Sequence, residues 1–189
     1  AFAGTSPSYR EALSAAKEIG VPWHRIPPGD SADVDGMIVT FLAPDSAWTE
    51  SLRDPNLASA MMLVRYHDVR FLLTGDAELP EEQWLLDHAA ARSGADILKV
   101  AHHGSSTGTG GALLDAVRPS VALVSVGRGN RYRHPSPNVI GSLEAHGILV
   151  ARTDLHGTVI IRTDKAGTRY DVLSSRGALL AGAVAALRR

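Results

Sequence analysis

A chain of 189 residues with 44% hydrophobic side chains is long enough to bury a core and short enough to form one domain. Nineteen Lys and Arg against twenty Asp and Glu leave a formal charge of -1, which excludes a surface that attracts polyanions as a whole, so any such binding is local. With no cysteine, disulfides and thiolate metal sites are excluded, and His with Asp or Glu remain as ligands for a transition metal.

No apolar run reaches the ~18 residues of a membrane span, and the N-terminus lacks the charged-then-apolar order of a signal peptide. The chain opens on Ala1 just before a helix start, and it is expected to be a segment of a longer protein. Ser6 and Pro7 stand as N-cap and first helical residue. Tyr9, Leu13, Ala16 and Ile19 then repeat at helical spacing up to Gly20. VPWHRI (21–26) reads as an edge strand because it contains Pro22, and PPGD (27–30) as a turn. MIVTFLA (37–43), SAMMLVRYH (59–67) and VRFLLT (69–74) read as strands, the last two meeting in a hairpin at His67 and Asp68.

Beyond Gly75 helices and strands alternate. A helix led by Pro80 and closed by Gly94 precedes the strand DILKVA (96–101). A short helix with Leu113, Leu114 and Val117 precedes the strand SVALVSV (120–126), and a helix from Ser136 and Pro137 to Gly147 follows a polar loop. ILVAR, TVIIRT and TRYDVL complete the pattern as strands, with DKAG (164–167) as the turn between the last two. Residues 1–173 are expected to be one domain, and residues 174–189 a weak terminal helix or a tail.

Three polar clusters follow the C-terminal ends of successive strands: Gly75 and Asp76; His102, His103, Gly104 and Ser105; and the loop 127–134. That edge of an α/β sheet is where ligands bind, since loops there vary without disturbing the strands. Asp76 alone is also what a turn before a helix would carry. With convergent histidines it is instead a carboxylate able to bridge divalent ions. Neighbouring residues on a strand face opposite ways, so His102 and His103 reach one site only if the strand has ended, which Gly104 permits. His103 is the expected ligand; His102 either joins it or donates a hydrogen bond to a substrate oxygen. Both histidines satisfying buried carbonyls is the plain alternative.

Lys99, in an apolar strand, either reaches a phosphate or lies exposed on an edge. GRGNRYRHPS (127–136) is either a solvated basic loop or a phosphate-contacting one. In the second case Arg128, Arg131 and Arg133 contact phosphate oxygens, Tyr132 stacks or hydrogen-bonds, and His134 is a ligand or proton donor. Ser105 and Asn130 complete the candidate substrate-binding set. His24, His67, His88 and His146 read as structural, and His156 keeps a minor claim.

LLTGD (72–76), KVAHHGS (99–105) and SVGRGNRYRHP (125–135), in that order and spacing, resemble the metallo-β-lactamase-like domain of the ComEC family of competence proteins, as does DPNLAS with Asn56 and Ser59. The likeness spans roughly residues 5 to 170. It implies an αββα fold, incomplete at the N-terminus, and a hydrolase of phosphodiester bonds acting as a nuclease on DNA. It further implies two divalent metal ions, zinc or manganese, no small-molecule cofactor, and a soluble domain joined to the membrane channel portion of a bacterial inner-membrane protein. Carried over by motif, Asp76 resembles the bridging carboxylate, His103 or His102 the histidine ligand, and His134 the late active-site histidine. The family's HxHxDH motif does not occur in this sequence, so the chain alone is expected to bind metal weakly or not at all. Rival readings are a metallohydrolase of a phosphocholine ester or a lactone, and an inert nucleic-acid-binding module.

Overall fold

The computed structural model describes residues 7–22, 26–52, 58–175 and 179–185. It contains α1 (Pro7–Glu18), β1 (Ser31–Val34), β2 (Met37–Ala43), α2 (Ser46–Ser51), β3 (Met61–Tyr66), β4 (Val69–Leu73), α3 (Leu79–Ala89) and β5 (Ile97–Lys99). Then come α4 (Gly111–Val117), β6 (Val121–Val124), α5 (Pro137–Ala145), β7 (Leu149–Arg152), α6 (Thr153–His156), β8 (Val159–Thr163), β9 (Arg169–Ser174) and β10 (Leu179–Ala185).

Strands β1 to β7 form one sheet in sequence order, antiparallel through β4 and parallel from β4 to β7. A second antiparallel sheet has the order β10-β9-β8. Successive residues of a strand point to opposite faces, and here both faces are covered, which is why the parallel strands read as unbroken apolar runs. Leu72, Leu98 and Ala122 enter a core that also holds Leu85 of α3, Leu114 of α4 and Leu143 of α5. Their neighbours Ile97 and Val121, with Val69 and Ala151, pack instead against Tyr170 and Val172 of the smaller sheet. The layers run helix, sheet, sheet, and the parallel connections deliver β4, β5, β6 and β7 to one common edge.

Two expectations change, and one short helix is added. VPWHRI was expected to be the first strand; Val21, Pro22 and Ile26 lie outside any strand, Trp23–Arg25 fall outside the described residues, and the edge strand is β1 instead. β1, SADV, is too short to announce itself and buries no residue; it is held by pairing to β2, from Ser31 opposite Thr40 to Val34 opposite Met37. Residues 179–185 are a strand rather than a terminal helix or tail, because pairing with β9 overrides the helix preference of an alanine-rich segment. The short helix α2 follows Asp45, whose carboxylate accepts the Trp48 N–H at 2.7 Å. Ser6, the expected N-cap of α1, and Asn56 lie outside the described residues.

Candidate active site

β5 ends at Lys99, and the chain turns at once: His102 and His103 both have left-handed backbones, with φ of 45° and 56°, and Gly104 has φ of 85°. The strand has therefore ended before the histidines, as their joint approach to one site requires. The turn is tied to the end of β4 by His102 N–H donating to Gly75 O at 3.1 Å, and by the Thr74 hydroxyl donating to Lys99 O at 2.6 Å. Gly104 closes on the other loop. Ser136 N–H donates to Gly104 O at 2.7 Å, and a Cβ at Gly104 would lie 2.5 Å from Pro135 Cβ.

This backbone brings Asp76 and His103 together, with Oδ1 and Nε2 3.4 Å apart. His103 Nδ1 lies 2.7 Å from Ser125 O. A carbonyl only accepts, so Nδ1 carries a proton, and in the neutral form of the ring the Nε2 lone pair faces Asp76. Two donors sharing one tetrahedral ion at about 2.1 Å each would stand about 3.4 Å apart, so this pair fits half of a metal site whose histidine is oriented from behind by a carbonyl. The fit stops there: among the described residues no group of three or more His, Asp or Glu is placed to hold a metal ion.

His102 takes another direction. Its Nδ1 is buried, lacks a hydrogen bond, and lies 3.4 Å from Glu78 Oε1, while its ring centroid is 5.8 Å from that of His134. Burial and then the neighbouring His102 and His103 hold the His134 pKa below the ordinary histidine value. Lys99 is half-buried and donates from Nζ to Val100 O at 2.8 Å; burial lowers its pKa, and the Asp76 carboxylate opposes that shift. Ser105 is turned inward, with its hydroxyl 2.9 Å from that of Thr107.

The 127–134 loop forms the opposite wall of a cleft of about 530 Å³ lined by His103, Ser125, Gly127, Asn130, Tyr132 and His134, among others. Asn130 holds the loop in shape. Its Nδ2 donates to Gly127 O at 3.1 Å and His134 O at 2.7 Å, and its Oδ1 accepts His134 N–H at 3.0 Å. Arg131 donates to the Tyr132 hydroxyl, whereas Arg128 turns toward Asp154 O at 3.4 Å. His156 is structural, its Nδ1 accepting the Arg152 N–H at 3.0 Å.

Sequence reasoning passed over the buried glutamates beneath the site. Glu82 accepts the N–H groups of Thr109 and Gly110, and the Thr109 hydroxyl oxygen accepts Ala101 N–H at 3.0 Å, so one carboxylate braces the segment that carries the histidines. Glu81 accepts Ser59 N–H at 2.7 Å and Glu78 N–H at 3.0 Å, and burial pushes its pKa up to about 7. The spacing of Glu78 and Glu81 at a helix start was the available signal for the second of these. Thr153, also missed, fixes the cleft floor by accepting Val126 N–H and donating to Val126 O, both at 2.8 Å.

The layered fold sets paired donors at the ends of β4 and β5, and residues 7–128 match the family model of the metallo-beta-lactamase superfamily. The chain belongs to that superfamily. Within it, the domain is homologous to part of several competence proteins. It is 33% identical over 150 residues to ComE operon protein 3 of Bacillus subtilis, covering 79% of this chain and 19% of that protein. It is 35% identical over 121 residues to competence protein ComA of Neisseria gonorrhoeae, covering 64% of this chain and 17% of that protein. It is 37% identical over 118 residues to recombination protein 2 of Haemophilus influenzae, covering 62% and 14%. The chain thus spans about a fifth or less of the length of these relatives. A variant of the CmlA beta-hydroxylase shares the fold at a TM-score of 0.50 and 11% identity, over 74% of this chain and 34% of that one.

Proposed function

We propose that this domain is the downstream half of a metal-dependent phosphodiester hydrolase that acts on DNA during competence-related uptake, within a longer membrane protein. The observation that carries the reading is the Asp76–His103 pair, spaced at 3.4 Å across the ends of two parallel strands, with His103 lining a cleft walled by an arginine-bearing loop. Asp76 and His103 would hold zinc or manganese. A catalytic zinc takes three protein ligands, so further ligands are contributed from outside the described residues. When bound, the metals supply a hydroxide nucleophile at neutral pH and offset charge on the phosphoryl oxygens.

The chain's own residues have separable tasks. The Ser125 carbonyl keeps the His103 lone pair forward. Lys99 sets a positive charge near Asp76, which favours an anionic substrate beside it. His134, neutral at pH 7, is available to hydrogen-bond a phosphodiester oxygen, and Arg131 and Arg133 place cations on the loop wall. No helix among the described residues is long and apolar enough to cross a membrane, so the membrane portion is proposed to lie elsewhere in the longer protein.

The test is the longer protein, purified and loaded with manganese or zinc, incubated with single- and double-stranded DNA. Cleavage that falls at least a hundredfold in Asp76→Asn is the expected result. DNA left intact, with hydrolysis of a phosphocholine ester or a lactone instead, would overturn the DNA assignment. The lack of a third donor among the described residues favours a second reading for the chain in isolation, a nucleic-acid-binding module without catalysis. Calorimetric titration with zinc is expected to show weak binding or none for the chain alone.

A further inference from the structure

We infer that Tyr132 is a stacking platform for an unpaired nucleobase, which makes the cleft selective for single-stranded over duplex DNA. The inference rests on the reading of the domain as one that binds DNA, and it adds the strand form that is bound and the residue that selects it. Tyr132 is 63% exposed, yet it is not a loose surface side chain. Its ring is stacked on His134, with centroids 5.8 Å apart and planes 16° from parallel, and the Arg131 guanidinium carbon lies 4.8 Å from the ring centroid. Arg131 also fixes the ring's outer end through the hydroxyl. The backbone on both sides is held by the three hydrogen bonds of Asn130.

Holding an aromatic face rigid and in water has no folding benefit that burial would not exceed, whereas it spares a ligand the entropy of ordering the ring. The ring lines the same cleft as His103, so a strand whose phosphate approaches Asp76 and His103 brings a neighbouring base to Tyr132. A base in a duplex already uses both faces in its own stack, but an unpaired base offers one to Tyr132, and every base has such a face. A quaternary ammonium group, the other ligand that aromatic faces attract, is disfavoured because the Arg131 cation already lies against the ring.

Fluorescence anisotropy in EDTA, where no metal-dependent cleavage can occur, reads the inference directly. The probes are an oligothymidylate strand, a strand of the same length with abasic sites in place of alternate bases, and the corresponding duplex. Wild type is expected to bind the intact strand about 5- to 100-fold tighter than the abasic strand or the duplex. Tyr132→Ala is expected to lose that factor and to bind the intact and abasic strands alike, while Tyr132→Phe keeps it. Because the side chain is exposed, thermal unfolding of all three proteins is expected to coincide, and phosphocholine is not expected to compete. Equal binding of intact and abasic strands, duplex binding as tight as single-strand binding, no binding of any oligonucleotide, or displacement by phosphocholine would each overturn it. Base-dependent binding with no cleavage by the metal-loaded longer protein would remove the hydrolase reading and leave this one standing.

Discussion

Strands β5 and β6 have no exposed residue, whereas all four residues of β1 are exposed and α1 buries none. The two ends of the larger sheet are thus built on different terms. At the parallel end, helices cover one face and the smaller sheet the other, so every strand residue is committed to packing and the loops at the strand ends inherit fixed positions. At the antiparallel end, main-chain pairing of β1 with β2 and the Ser31–Thr40 hydroxyl contact at 2.8 Å hold the register, and Val34 and Met37 remain 49% and 40% exposed. The candidate site lies at the first end. A two-donor site with 3.4 Å spacing needs backbone fixed to fractions of an ångström, which only the doubly covered strands supply.

The strongest way to break this contrast is Gly104→Ala. The added carbon meets Pro135 at 2.5 Å on a backbone with φ of 85°, so a loss on the order of 3 kcal/mol is expected. Urea unfolding checks the loss, and the histidine imidazole resonances are expected to shift as the two loops part. A smaller effect, confined to a pH window, is expected at Glu81. Its folded pKa of about 7 stands above its ordinary 4.5, so between those values the folded chain holds a proton that the unfolded chain has released. Glu81 therefore makes the fold lose stability as pH rises through that window, and adds no slope beyond it. Melting temperatures of wild type and Glu81→Gln from pH 4 to 8 are expected to differ by a curve that changes only there. The smallest effect is expected in α1, which buries no residue: Leu13→Ala, at a position 41% exposed, is expected to change stability by no more than about 0.5 kcal/mol in the same urea assay.

The same contrast governs what was legible in the sequence. VRFLLT, DILKVA and SVALVSV are recognisable because burial on both faces leaves an apolar signature, and the polar residues that interrupt it at Asp76, His102 and Gly127 mark the strand ends. β1 carries no such signature, and the apolar run of β10 is alanine-rich and reads locally as helix; both are strands because a neighbouring strand pairs with them, and pairing partners are not written in a local window. Within the site, the sequence placed Asp76, His103 and His134 at one edge. It favoured His103, which faces Asp76, but left open the direction of His102, which faces Glu78, because left-handed backbone at two consecutive non-glycine residues decides where they point. Nor did it separate Ser105, turned into its own loop, from Tyr132, turned outward.

The contact between Gly104 and Pro135 ties two segments that are distant along the chain. Since Ser136 N–H also lands on Gly104 O, the histidine turn and the arginine loop lack independent hinges and must breathe as one unit. A ligand that quiets the 127–134 loop would therefore slow amide exchange at Ser105 and Ser136 together, so that occupancy on one wall of the cleft stiffens the other without any displacement of its atoms.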